Sequence, residues 1–242
     1  MTGAPRTSNP DTEKPMTRTL RMFAAAFAAV AAAALFSPTV SAQSEQQRLV
    51  NAAEVTLGNF MRDPEMTWLQ RNFGRARAVL IAPEIVKAGF IFGGSGGRAV
   101  LFAKEGGYWR GPAFYTMATG SVGFQAGVSV SEMITLVMTE KGMNSMLAAN
   151  FKLGGDASVA AGPVGVGAKS DVVADMIAFT RAKGVYGGLN LDGTLVNLSD
   201  DWNRAFYSKP VQPIDIFVRG TVSNPDADKL RGEIAKAASG AR

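Results

Sequence analysis

The sequence contains neither cysteine nor histidine. Without cysteine there is no disulfide, no thiol nucleophile, no thiolate metal site and no lipid-modified N-terminal cysteine. Without histidine, the Ser-His-Asp hydrolases and His-ligated zinc or iron centres are excluded. An excess of one charge is also missing. Of 25 basic and 20 acidic residues, 4 and 2 precede Gln43, which leaves about +3 from Gln43 onward and no basic run of the kind that binds nucleic acid. These absences favour a binder or scaffold over an enzyme, with no cofactor and no nucleic-acid partner expected.

The apolar run Met22 to Phe36 follows Arg18 and Arg21 and ends near Val40-Ser41-Ala42. That pattern predicts a signal peptide over residues 1–42, with Met16 as an alternative start, too short in its apolar part to anchor in a bilayer. Residues 43–242 are then one domain with a sizeable core, exported to the periplasm or cell envelope.

Ser44 with Gln47 is a capping-box signal, and Leu49, Ala53, Leu57 and Phe60 recur at helical spacing, predicting a helix over about 45–61. Asp63-Pro64 starts a second, short helix that Gly74 closes. Beyond Arg75 glycine becomes abundant. Residues 120–130 alternate strictly and predict one strand, with Val122, Phe124, Ala126, Val128 and Val130 on its buried face. "FKLGGDASVA" alternates likewise. Helices are expected at about 140–149 and 200–207, a hairpin at Asp192-Gly193, a last strand in "IDIFVRGTV", and a C-terminal helix capped by Asn224. The expected fold is α+β: a curved, Gly-rich antiparallel sheet, partly barrel-like, with N- and C-terminal helices packed against it.

"GPVGVGAKS", residues 162–170, imitates a phosphate loop, but Ala168 intrudes between Gly167 and Lys169 and turns the lysine off the ring of amides. No helix signal follows, so the glycines are read as serving a bend between two antiparallel strands. Asp171 with Asp175, and Asp200 with Asp201, lack the spacing of calcium ligands and are read as caps or solvated charges. Trp68, Tyr108-Trp109 and Trp202-Asn203 are either membrane-interface aromatics or core edges.

Taken together, "RAVLIAPEIVKAGFIFGGSGGRAVLFAKEGGYWRGPAFY", "GSVGFQAGVSVSEMITLVMTEKGMNSML", "FKLGGDASVAAGPVGVGA" and "FTRAKGVYGGLNLDGTLV" resemble the SYLF-domain family over about residues 45–207. The resemblance implies lipid binding, with phosphoinositides recognised by eukaryotic relatives, some of which also bind actin. This chain is similar to the bacterial exported form, for which actin is not the expected natural partner. The basic positions within the matching blocks, Lys87, Lys152, Arg181 and Lys183, are the candidate headgroup contacts, Arg as a fork and Lys as a point charge; solvation or pairing with Asp156 or Asp175 is the alternative. Leu49, Leu57 and Phe60 are candidate membrane contacts if the first helix inserts, or core residues if it packs on the sheet. The expected partner is an anionic phospholipid or membrane surface. An envelope protein held by the same sheet is the second reading, and a carboxylate-dependent hydrolase the third.

Overall fold

The computed structural model describes residues 43–89, 92–122, 127–168, 172–182, 191 and 193–240. The segment 1–42 read as a signal peptide, Phe124 and Ala126 of the expected strand, Asp171, Lys183, and Asp192 with residues 186–190 of the expected hairpin lie outside these residues. Gln43–Arg242 is one compact unit.

Helix α1, Glu45–Arg62, begins where the Ser44 hydroxyl accepts the Gln47 N–H at 3.1 Å, and buries Val50, Ala53, Leu57 and Phe60. Asp63 then caps a 3-10 turn, Pro64–Met66, that leads into the short helix α2, Thr67–Asn72, and a second turn ending at Arg75. Eight strands follow among the described residues: β1, Ala78–Gly89; β2, Phe92–Glu105; β3, Tyr108–Val122; β4, Gly127–Val137; β5, Asn150–Lys152; β6, Val159–Ala161; β7, Met176–Ala182; and β8, Leu195–Leu198. Helix α3, Glu140–Leu147, sits between β4 and β5; α4, Asp200–Tyr207, follows β8; and α5, Asp228–Gly240, closes the chain.

All strands join one sheet in the order β5-β8-β3-β2-β1-β4-β7-β6. Its two edge strands, β5 and β6, are joined by only the short segment 153–158, and Leu153 and Ala157 form a parallel bridge within it. So short a chain bridges two edges only if they approach each other, which curls the sheet toward a half-barrel.

The sheet is thick at one end and bare at the other. In β1 Ala78, Val79, Leu80, Ile81 and Ala82 are all fully buried, so both faces are covered there. The register then shifts between Ile81 and Glu84 against β2 and between Ala82 and Ile85 against β4, a bulge that contains Pro83. A bulge is where a proline without an N–H is tolerated within a strand. Beyond it Glu84, Val86 and Ala88 are exposed. Gly97 is required at this point: a Cβ there would collide with the Glu84 carbonyl oxygen.

Several sequence expectations are corrected. Residues 120–130 are not one strand but the end of β3 and the start of β4, which stand apart in the sheet with β2 and β1 between them, and Val128 is 72% exposed rather than buried. "FKLGGDASVA" buries Phe151, Leu153 and Ala157 as its alternation implies, yet it contributes both edges of the sheet. The chain after β6 does not bend into an antiparallel partner, because β6 and β7 are parallel. The "GPVGVG" segment instead crosses to α2, where the Gly165 N–H donates to the Glu65 carbonyl at 2.9 Å and Thr67 donates back to Gly165 at 3.1 Å. "IDIFVRGTV" is a π-helical turn, Asp215–Arg219, with Ile216 and Phe217 buried in succession and Gly220 closing it at φ +61°. Adjacent buried residues suit a helical turn packed end-on, and Asp215 secures it by accepting the Gln212 N–H and pairing with Arg219 at 2.9 Å.

Candidate functional site

A groove of about 880 Å³ lies between α1 and the bare half of the sheet. Leu49, Ala52 and Val55 of α1 form one wall. Pro83, Val86, Gly96, Gly97 and Met117 form the floor, and Arg98 and Trp202 stand on the far side. The volume is in the range of ligand pockets, about 300–1,000 Å³. Val55 is 61% exposed, and Val86 38%, so the groove presents apolar side chains to solvent.

Trp202 is held rigidly. The acidic pair Asp200 and Asp201 stands in the first turn of α4, where it complements the helix dipole. The next residue, Asn203, is fully buried and bolts α4 to β3: its carboxamide oxygen accepts the Phe114 N–H at 3.0 Å and its amide donates to the Phe114 carbonyl at 3.2 Å. The Trp202 ring packs on Phe114 at 5.9 Å between centroids. Over the indole lies the Arg98 guanidinium, 4.3 Å from the ring centroid. Arg98 is exposed, and no carboxylate among the described residues pairs with it. Its flat ion is thus set by the cation–π contact while its edge donors stay open.

Of the sequence-predicted cations, the described ones, Lys87, Lys152 and Arg181, do not line this groove. Lys87 is half-buried on β1, in register with Ser95 and Ser129. Lys152 is exposed on the edge strand β5, where Asp156 folds back to accept its backbone N–H at 2.7 Å. Arg181 on β7 is 4.0 Å from both Asp63 and Glu132, and 28% of its side chain is exposed. Glu132 in turn accepts from Thr56 at 2.9 Å and Asn59 at 3.1 Å, which ties α1 to β4. Arg181 therefore completes a polar latch under α1. Of the helix residues, Leu57 and Phe60 are buried beneath α1, and only Leu49 reaches the groove. Leu57 and Phe60 would meet a bilayer only if α1 left the sheet.

Asp175, read as a cap or solvated charge, is a polar staple. It accepts from the Thr139 hydroxyl at 2.6 Å and from the Ser158 N–H and hydroxyl at 2.9 and 2.8 Å. Thr139, then the two Ser158 donors, and more weakly Lys141 hold its carboxyl down to about 2. Sequence reasoning did not reach Arg98. Its only local signal is its place directly after "GGSGG"; the partner Trp202 lies on a distant helix.

An α+β domain with a curled eight-stranded sheet and a helix-walled groove is what the geometry defines. A family model described as Ysc84, Las17-binding protein actin regulator, matches residues 118–237. LAS seventeen-binding protein 3 of Saccharomyces cerevisiae is 30% identical over 141 residues, covering 55% of this chain and 30% of the yeast protein. SH3 domain-containing YSC84-like protein 1 of Homo sapiens is 26% identical over 152 residues, covering 60% of this chain and 44% of the human protein. The chain belongs to the SYLF (Ysc84) family. It spans less than half the length of these relatives. The yeast relative and the family model are both named for binding a protein.

Proposed function

We propose that this chain is a non-enzymatic binding protein of the cell envelope that associates with acidic phospholipid. The observation that carries the reading is the groove over the bare, glycine-rich half of the sheet, where exposed Val55 of α1 and Val86 of β1 line one concavity with Arg48 and Arg98. Apolar side chains held open beside cations match the two layers of a lipid interface, acyl chain and charged headgroup. Export rests on the segment Met22–Phe36 read as a signal-peptide core. Vesicle flotation tests the binding. Anionic vesicles should be retained at low salt and released as salt rises, because screening acts over about 8 Å at physiological ionic strength. Equal retention by uncharged, zwitterionic vesicles, or none by either, overturns the reading.

A protein partner is the second reading, favoured by relatives named for binding a yeast protein. Co-sedimentation with actin filaments is the direct control, and we expect no pelleting. The cation set to test changes with the structure. Arg181→Glu would bring a third carboxylate beside Asp63 and Glu132 and loosen α1 for structural reasons, so Arg48→Gln and Lys152→Gln, both at exposed positions, are the cleaner probes of headgroup contact.

A further inference from the structure

We propose that the α1 groove is a site for a single-chain amphiphile with a monoanionic head, a fatty carboxylate, whose two oxygens are forked by Arg98 while its chain lies along Leu49, Ala52, Val55 and Val86. This deepens the lipid reading above and rests on it: it names a monomeric ligand and a residue for its head, beyond adsorption to a bilayer.

Three observations carry it. First, Arg98 is pre-set. Its guanidinium lies 4.3 Å over Trp202, which Phe114 and the Asn203 bridge hold in place. A stacked guanidinium loses little freedom when its edge donors meet the two oxygens of a carboxylate. Second, the groove beside it is floored by Gly96 and Gly97, which project no side chain, and walled by the aliphatic Leu49, Ala52, Val55 and Val86. Third, the charge around the groove is almost balanced. Arg48 and Arg98 face Glu45, Glu84 and Glu132. Glu45 is paired with Arg48 at 3.7 Å, and Glu132 is engaged by Thr56, Asn59 and Arg181. Glu84 stands directly across from Arg98 in the β1–β2 register. One open guanidinium beside a carboxylate suits one negative charge, whereas a multiply charged phosphoinositide head would meet repulsion from Glu84.

The test is calorimetric titration of the full-length chain with dodecanoate below its micelle concentration, at pH 8. Dodecyltrimethylammonium and dodecyl phosphate, of equal chain length, are the comparison ligands. We expect one dodecanoate per chain, weaker binding of the dianionic phosphate, and none of the cation. Arg98→Gln should weaken dodecanoate at least about tenfold, the loss of a charge-assisted hydrogen bond. Arg98→Lys should also weaken it, because the charge stays while the fork and stacking go. Ala52→Trp, at an exposed position of α1 that lines the groove, should abolish binding while circular dichroism is unchanged. Equal binding of the cationic amphiphile, or unchanged dodecanoate affinity in folded Arg98→Gln and Ala52→Trp, overturns the site. Flotation of the same variants separates the two readings. Vesicle binding that persists while the groove does not titrate sinks this inference alone; a groove that titrates while no variant floats with anionic vesicles sinks the membrane reading alone.

Discussion

The two ends of the same four strands use opposite chemistry. Between Ala78 and Ala82, and between Ala99 and Ala103, every residue of β1 and β2 is at most 1% exposed, so both faces of the strands are covered there. Past the bulge at Pro83 the same strands carry Gly93, Gly94, Gly96 and Gly97, and Val86 and Val128 face solvent. Continuous apolar strands buried on both faces give cohesion. Side-chain-poor strands bend easily, and exposed apolar residues on a stable scaffold mark interaction sites. The bulge separates a half that holds the fold from a half free to meet a ligand.

The largest expected effect lies in the covered half. Phe114 is fully buried between Trp202 and Phe206, at 5.9 and 5.1 Å, so Phe114→Ala should cost about 3–5 kcal/mol in urea unfolding. A loss under about 1 kcal/mol would mean that this half does not carry the stability. The next effect breaks the simple division, since one glycine of the bare half is structurally obligatory. Gly97→Ala should cost about 1–3 kcal/mol, because its Cβ meets the rigid Glu84 carbonyl, whereas Gly120→Ala, with nothing within 4 Å of its Cβ, should be nearly neutral. Equal effects from the two would show that the bulge does not constrain the sheet.

Acid should act on the covered half through Asp175. Its carboxyl titrates at about 2 in the folded chain against 3.8 ordinarily. A depressed carboxyl stabilises the fold fully above about pH 4, and that contribution disappears as pH falls from about 4 to 2. Asp175→Ala should lose about 2 kcal/mol at neutral pH and flatten the acid limb of the stability profile; an unaltered limb places the acid sensitivity elsewhere. The smallest effect belongs to the bare half. Val86→Ser should change stability by no more than about 0.5 kcal/mol while weakening dodecanoate and vesicle binding. A large stability loss would make Val86 a core residue rather than part of a ligand surface.

How far the sequence could be read followed the range of the interactions. The caps at Ser44, Asp63 and Asn224 and the periodicity of α1, α3 and α5 were legible because a helix is satisfied by neighbours three and four residues away. Alternation at 120–130 was real but could not show that the chain changes strands there, since strand partners are chosen by distant segments. The π turn at Asp215 was read as a strand because buried Ile216, Phe217 and their β-branched neighbours look the same in either state until the packing partner is known.

By itself the sequence determined the absence of thiol and imidazole chemistry, the failure of the phosphate loop at Ala168, the α+β class and the family, because each resides in composition or in contiguous blocks. Only the tertiary structure decided that Arg181 is engaged by Asp63 and Glu132, that Leu57 and Phe60 lie under α1, and that Arg98 rests on Trp202 across more than a hundred residues of chain. A charge or an aromatic ring acquires a role only from what folding places beside it, and those neighbours are fixed by the register of the sheet and the docking of helices, which no local pattern encodes.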